Sequence, residues 1–446
     1  MRFRHVMAAA VPAVAATALT IAPAGTSAVA SASTAVAGHV TPSVSSPLAY
    51  TYVGKAGSAS AGSGYLFPCQ EPGAALNCYT PQELHTAYDI PSNLTGAGQT
   101  IVIIEAFGDP TVGADLATED STFGLPAANL NVIYPNGQPT FDPGNADEVN
   151  WTGEIALDVE SAHAIAPAAK IDLVIAKSDA DADILNALKY VVSHHLGDVL
   201  SQSYGEAESC EAPAIERADH LLFEQAKAEH LTVFASSGDE GAAQHTCDGS
   251  SYVKAVSVPA SDPLVTGVGA TSLTAEQPNG SYESESAWND AYGASGGGYS
   301  MLFKRPAYQN GFVFCSQRGV PDVSYSGDVN NGLLIAWSGG VAANEGTFYL
   351  VGGTSAGSPQ WAAVTALADQ QDGHPIGYIN PELYSLAHGS LYDYVFHDVT
   401  SGNNTVSETD SSGNTVNIAG YPATKGWDPV TGLGTPNVAH LLQYLK

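Results

Sequence analysis

Apolar, β-rich runs at Thr100–Ile104, Ile171–Ala176, Asp198–Ser203, Leu231–Ser236 and Leu264–Val268 alternate with helix-patterned stretches, and this alternation constrains the fold most tightly. The runs are nearly continuous in their hydrophobicity, the mark of strands covered on both faces. Between them, Ile184, Ala187, Leu188, Val191 and Val192 share one helical face, and Ile215, Ala218, Leu222 and Ala226 share another. Such alternation builds a mostly parallel sheet with helices on both faces, an α/β fold whose sites form at the carboxyl ends of the strands. Thr80-Pro81-Gln82-Glu83 supplies an N-cap, a proline at the first helical position and a glutamate to close a capping box. Order is expected to begin near Tyr79. Beyond Gly373 the chain is rich in Gly, Asn, Ser and Thr, so loops and a short closing helix from Asn437 are expected there.

The N-terminus imposes a separate constraint. Arg2 and Arg4 precede an apolar run from Val6 to Ile21, and Ala28-Val29-Ala30 and Ala30-Ser31-Ala32 offer small-residue cleavage sites. Residues 1–30 therefore read as a secretory signal peptide, with a secreted, extracellular product. Residues 31–78 read as a short, largely low-complexity segment, and 79–446 as one folded domain. The 446 residues carry 45 acids, 14 Lys plus Arg and 13 His, a net charge of −31. That balance excludes nucleic acid and anionic membrane as partners, both of which need a basic footprint. Even with every histidine charged, neutrality requires that many carboxyls be protonated. Export permits disulfides among Cys69, Cys78, Cys210, Cys247 and Cys315. Proximity in sequence favours Cys69–Cys78 and Cys210–Cys247 among the possible pairings.

Three segments carry chemistry. Gly352-Gly353-Thr354-Ser355-Ala356-Gly357-Ser358-Pro359 places a serine at a helix start after a glycine turn, where backbone N–H groups can hold an oxyanion; the plainer reading is a capping serine. Glu154 and Asp158 stand at i and i+4, on one face of a helix that Ile155, Ala156, Leu157 and Val159 make mostly apolar. An exposed pair would be an ordinary solvated face, but a buried pair must share a proton. Asp239, in Ser236-Ser237-Gly238-Asp239-Glu240-Gly241, follows an apolar strand, where a turn aspartate is common.

Together, the E-x-x-x-D helix, the S-G-D-x-G turn and the G-T-S-A segment before proline resemble the sedolisin family of serine-carboxyl peptidases, from about Tyr79 onward. Ser201-Gln202-Ser203-Tyr204-Gly205, Pro259-Ala260-Ser261-Asp262-Pro263 and Ser295-Gly296-Gly297-Gly298 strengthen the likeness. The resemblance implies a subtilisin-like fold, protein or peptide substrates and a monomer. It also implies roles: Ser355 as nucleophile, Glu154 as general base, Asp158 supporting it, and Asp239 in the oxyanion hole. The chemistry is coherent, because a serine needs a base and a carboxylate with a reference pKa of about 4.3 stays ionised in acid. Asp239 would donate to an oxyanion only while protonated, so an acidic, bell-shaped profile follows. Asp398-Val399 and Thr424-Lys425-Gly426-Trp427-Asp428-Pro429 resemble the family's calcium loops. That likeness implies one structural Ca²⁺, bound by the side chains of Asp398 and Asp428 and the carbonyls of Val399, Thr424 and Gly426. Family members commonly carry a large folded propeptide, and residues 31–78 do not read as one.

Two rival readings differ in kind. A subtilisin-type enzyme needs a histidine base, and neither His194-His195 nor His163 sits in such a setting; the first strand ends in Glu105-Ala106. A calcium-stabilised binding protein on a dead peptidase scaffold would have lost at least one of the four side chains, and all four are present.

Overall fold

The computed structural model describes residues 43–446 apart from Pro47 and residues 61–63. The signal-peptide reading of residues 1–30 lies outside the described residues. An eight-stranded sheet forms the centre. From one edge it runs Asn129–Ile133, Lys170–Ala176, Thr100–Ala106, Val199–Gln202, Thr232–Ser236 and Thr266–Glu276, all parallel. Thr266–Glu276 then pairs in parallel with Val323–Ser326 and antiparallel with Ser281–Ala287. Strands buried on both faces explain the continuous apolar runs. Ile101 and Ile103 face one helical layer, while Val102 and Ile104 face the other.

The first layer holds the two helices that matter most, Ala146–Ile165 and Thr354–Asp372, which pack on each other and on the sheet. The second holds Asp181–Ser193 and Pro213–Ala228. In Asp181–Ser193 the five apolar residues read from the sequence are all buried. In Pro213–Ala228 the buried side chains are Phe223 and Ala226, with Ile215, Ala218 and Leu222 only partly covered. Phe223 is the more deeply buried of the adjacent pair, with Leu222 packed against the same core from its rim.

Two expectations are corrected. Ordered structure begins before Tyr79: Ala49–Lys55 pairs antiparallel with Thr347–Gly352 in a second sheet of four strands, which also holds Asn331–Ala336 and Asn77–Tyr79. The Ala-Tyr-Thr-Tyr-Val run has strand character, but one isolated strand has no order of its own until an edge receives it. The region beyond Gly373 also holds a helix, Asn380–Ala387, whose Asn380 amide group is buried and takes a hydrogen bond from Thr266 at 2.6 Å. The helix at Pro81–Ala87 has the expected capping box, and Asn437 caps the closing turn Val438–Leu441. Cys69–Cys78 and Cys210–Cys247 are bonded and Cys315 is free, matching the pairing favoured by proximity.

Trp361 fixes the helix Thr354–Asp372 in place. It is fully buried, and its indole N–H donates to the Ser324 carbonyl at 2.8 Å. Replacing it by alanine is expected to cost about 3–5 kcal/mol in urea unfolding. A loss under about 1 kcal/mol would show that this helix is held elsewhere.

Candidate active site

Three sheet strands and two helices converge on one cleft. Glu105 is the penultimate residue of Thr100–Ala106, Ser203 follows Val199–Gln202 directly, and the turn after Thr232–Ser236 carries Asp239. The helix Ala146–Ile165 is capped by Asn145, which accepts from the Asp147 N–H at 3.1 Å, and every residue from Trp151 onward is buried. Glu154 and Asp158 therefore lie in the interior, not on a solvated face.

The serine arrives by a different route. Strand Thr347–Gly352 passes through Gly353 straight into the helix Thr354–Asp372. Gly353 has φ +114°, and a Cβ there would sit 2.3 Å from Asp239 Oδ2, so only glycine fits. Ser355 stands in the first turn, nearly buried at 6% exposure, where helical N–H groups have no partners within the helix. Pro359 lacks the N–H that would return to the Ser355 carbonyl. That carbonyl instead lies 3.3 Å from the Ser203 hydroxyl. Ser203 Oγ donates to Asp158 Oδ2 at 2.7 Å, and Ser355 Oγ lies 3.5 Å from the Ser203 carbonyl. The oxygen and carbonyl of one serine thus hold both the acid and the nucleophile.

The electrostatics are those of carboxyls buried together. Burial, and then the neighbouring Asp158, push Glu154 well above the usual carboxylate range. The Ser355 and Ser46 hydroxyls favour its ionised form, although neither completes a hydrogen bond of good geometry to it. Burial raises Asp158, opposed by Ser203 and by Glu105. Glu105 rises through burial and through its two acidic neighbours, Asp158 first. Glu105 and Asp158 are in position to share a proton, so three carboxyls titrate as one system. Next to Ser355 in the chain, Thr354 donates both its N–H and its hydroxyl to Asp239 Oδ1, each at 2.7 Å. Burial still raises Asp239 to about 7. The structure brings Glu154, Asp158, Ser355 and Asp239 into one cluster, with no histidine among the residues lining the cleft.

Glu105 and Ser203 were not assigned roles from the sequence. Glu105 left one signal, an acid inside an otherwise apolar strand; Ser203 left only its familiar flanking motif.

The loops read as calcium-binding also meet. Asp398 accepts from the Gly426 N–H at 3.0 Å and from the Tyr392 hydroxyl at 3.0 Å. Asp428 accepts from the N–H groups of Thr424, Val430 and Thr431. Neither carboxylate forms an ion pair among the described residues. Val399 is buried beside Asp398. Both carboxylates are thus tied to the loop that holds Thr424 and Gly426, and their oxygens accept from backbone N–H groups and the Tyr392 hydroxyl.

Comparison with known proteins agrees with this geometry. The Subtilase family model matches residues 147–386, more than half of the chain. Kumamolisin of Bacillus sp. (strain MN-32) is 37% identical over 85% of this chain, and sedolisin of Pseudomonas sp. (strain 101) is 31% identical over 82%. The solved structure of Pseudomonas sedolisin, a serine-carboxyl proteinase complexed with two molecules of pseudo-iodotyrostatin, superposes with TM-score 0.70 at 30% identity, covering 83% of this chain and 98% of that one. The chain belongs to the sedolisin family. As a sedolisin it has the subtilisin-like fold expected of it, while spanning 66% and 61% of the lengths of the two curated relatives.

The buried carboxyls of this sedolisin fix a pH dependence of stability. Asp158 and Asp239 ionise near 3.8 in an unfolded chain but only at about 8 and about 7 in the fold. Between those values the unfolded state sheds protons that the folded state keeps. Stability is therefore full below about pH 4 and falls as pH rises toward about 8. Urea midpoints measured across that range are expected to fall steadily; a rise toward neutrality would contradict the burial described.

Proposed function

We propose that this protein is a serine-carboxyl peptidase that cuts protein or peptide substrates in acid. The observation that supports the reading most is the grouping of Ser355 with buried acids: Glu154, which its hydroxyl adjoins, Asp158 one turn on, and Asp239, bonded to the neighbouring Thr354. In this reading Ser355 Oγ attacks the substrate carbonyl and Glu154 takes its proton. Asp158 steadies Glu154 and spreads the charge into Glu105, while Ser203 orients Asp158. Asp239, protonated in acid, donates to the developing oxyanion. Glu154 then returns the proton to the leaving amine, and water enters by the reverse path. No histidine takes part, so nothing in the machinery requires neutral pH. The dead-scaffold reading finds no supporting observation.

Export fits the same picture. The N-terminal signal pattern and two disulfides suit a secreted protein. Among the described residues no helix is long and apolar enough to cross a membrane. One Ca²⁺ would be held by the side chains of Asp398 and Asp428 and the carbonyls of Val399, Thr424 and Gly426, tying the two C-terminal loops together.

Three outcomes are expected. Ser355→Ala is expected to reduce kcat on a denatured protein by at least about a thousandfold, with its melting transition retained. Asp239→Asn keeps a neutral donor that cannot ionise, so the loss of activity that the wild type shows as pH rises through about 7 is expected to shift upward. An unchanged limb in that variant would remove Asp239 from the oxyanion role. Chelation is expected to lower the melting temperature by several degrees, with Ca²⁺ restoring it and Asp428→Ala insensitive to both; equal melting with and without the ion would dismiss the calcium site.

A further inference from the structure

A second group of acids lies beside the cleft and takes no part in the chemistry above. Asp181 opens the helix Asp181–Ser193, Glu206 and Glu211 follow Gly205, and Asp219 lies on the helix Pro213–Ala228. Asp181 is 7% exposed, and neither of its carboxyl oxygens has a hydrogen-bond partner. Glu206 Oε1 and Asp219 Oδ1 are likewise buried without one. Among the described residues none of the four forms an ion pair. Burial raises all four, to about 6 for Asp181, about 7 for Asp219, about 8 for Glu206 and about 9 for Glu211. Asp181 adds to the rise of the other three, and Glu211 and Asp219 are in position to share a proton. The further groups that face them are Asp179 beside Asp181, and Glu216 and Asp262 beside Asp219, with Asp262 held by His220 at 2.7 Å.

A peptide backbone runs past these acids. Ser43 pairs with Ala180, the residue before Asp181, and the Val44 N–H donates to the Asp179 carbonyl at 3.1 Å. Ser45 exchanges both backbone hydrogen bonds with Gly205, the residue before Glu206, at 2.9 and 3.0 Å. An extended chain clamped between these two stretches is the strand-addition mode of peptide binding. Ser45 and Ser46 line the depression that holds Ser355. A substrate that took these backbone partners in place of residues 43–46 would therefore pass the acids on its way into the cleft. Val44 is buried in the cluster that includes Ile184, and Asp181 stands one turn before Ile184 on the same helix face. A longer side chain in Val44's place would follow that apolar wall and end among the carboxyls. Lysine and arginine have the matching form, an apolar stem with a charged tip.

We propose that Asp181, Glu206, Glu211 and Asp219 form a subsite for a lysine or arginine side chain of the substrate, upstream of the bond that is cut. The cut rests on the peptidase reading above; the binding does not. One cation set among several carboxyls relieves their mutual repulsion, so each becomes easier to ionise. Binding then releases protons, and it strengthens as pH rises toward the values at which the carboxyls ionise on their own. A leucine in the same place gains the apolar wall alone, and a glutamate adds to the repulsion.

The test uses the full chain and internally quenched peptides that carry Lys, Leu or Glu at each of the second to fifth residues before the cut, from pH 4 to 6. At one of these positions the wild type is expected to favour Lys over Leu by at least about fivefold in kcat/KM, with Glu poorest. That ratio is expected to grow with pH, and to fall toward one in Asp181→Asn and in Glu206→Gln, both checked for a retained melting transition. Calorimetry on Ser355→Ala reads the binding without the cut: the Lys peptide is expected to bind more tightly than the Leu peptide and to release protons. A Lys-to-Leu ratio near one at every position, or one that both variants keep, would overturn the proposal and leave the peptidase reading standing. So would a ratio that falls as pH rises. If no peptide is cut while Ser355→Ala still selects the Lys peptide, the peptidase reading fails and the subsite stands; equal binding of the two peptides with no cut removes both.

Discussion

Burying several carboxyls together, with no basic side chain to neutralise them, is the constraint on which the rest of the structure depends. Glu105, Asp158 and Glu154 are each at most 1% exposed. Ionising all three in that interior would cost far more than any domain can spare. The site must therefore hold protons, and its neighbours are those that tolerate shared protons: a serine hydroxyl on Asp158, two hydroxyls near Glu154, and no cation. Asp239 repeats the logic beside Thr354, which satisfies one oxygen while burial keeps the group protonated up to about pH 7. In the proposed mechanism the serine works between a carboxyl that must be ionised and one that must stay protonated, so activity needs a pH at which the two differ.

The same preference extends beyond the cleft. Glu119 and Glu160 form another buried acidic pair, with Glu160 accepting from the Ala336 N–H. Burial raises both, and their proximity adds to the effect on Glu160. Buried carboxyls held toward their protonated form are thus distributed through the helix Ala146–Ile165 and its neighbours, in a chain whose 45 acids face 14 Lys and Arg.

Much of this was legible in the sequence, for identifiable reasons. Continuous apolar strands and helical periodicity gave the α/β layers because burial on two faces leaves no polar positions to vary. Glu154 and Asp158 could be read because helical spacing fixes their common face, and the apolar residues between them told that the face is covered. Glu105 was not assigned because its partner Asp158 is distant in sequence, and only the sheet brings the two together. The strand Ala49–Lys55 is not legible because its partner Thr347–Gly352 lies far along the chain, and its flanks of Ser, Ala and Gly look like linker. That Phe223 is buried more deeply than Leu222 is not legible either, because a periodicity of apolar residues does not say which of two adjacent side chains goes deeper.

The mechanism is tested most directly by a peptide aldehyde enriched with ¹³C at its carbonyl and bound to the protein. Attack by Ser355 would convert that carbon to a tetrahedral hemiacetal, visible by carbon NMR. The arrangement of acids predicts this signal in acid, its loss as pH rises through about 7 with the proton on Asp239, and its absence in Ser355→Ala. A hemiacetal that grows toward neutral pH, or that forms without Ser355, would contradict a serine worked by carboxyl groups.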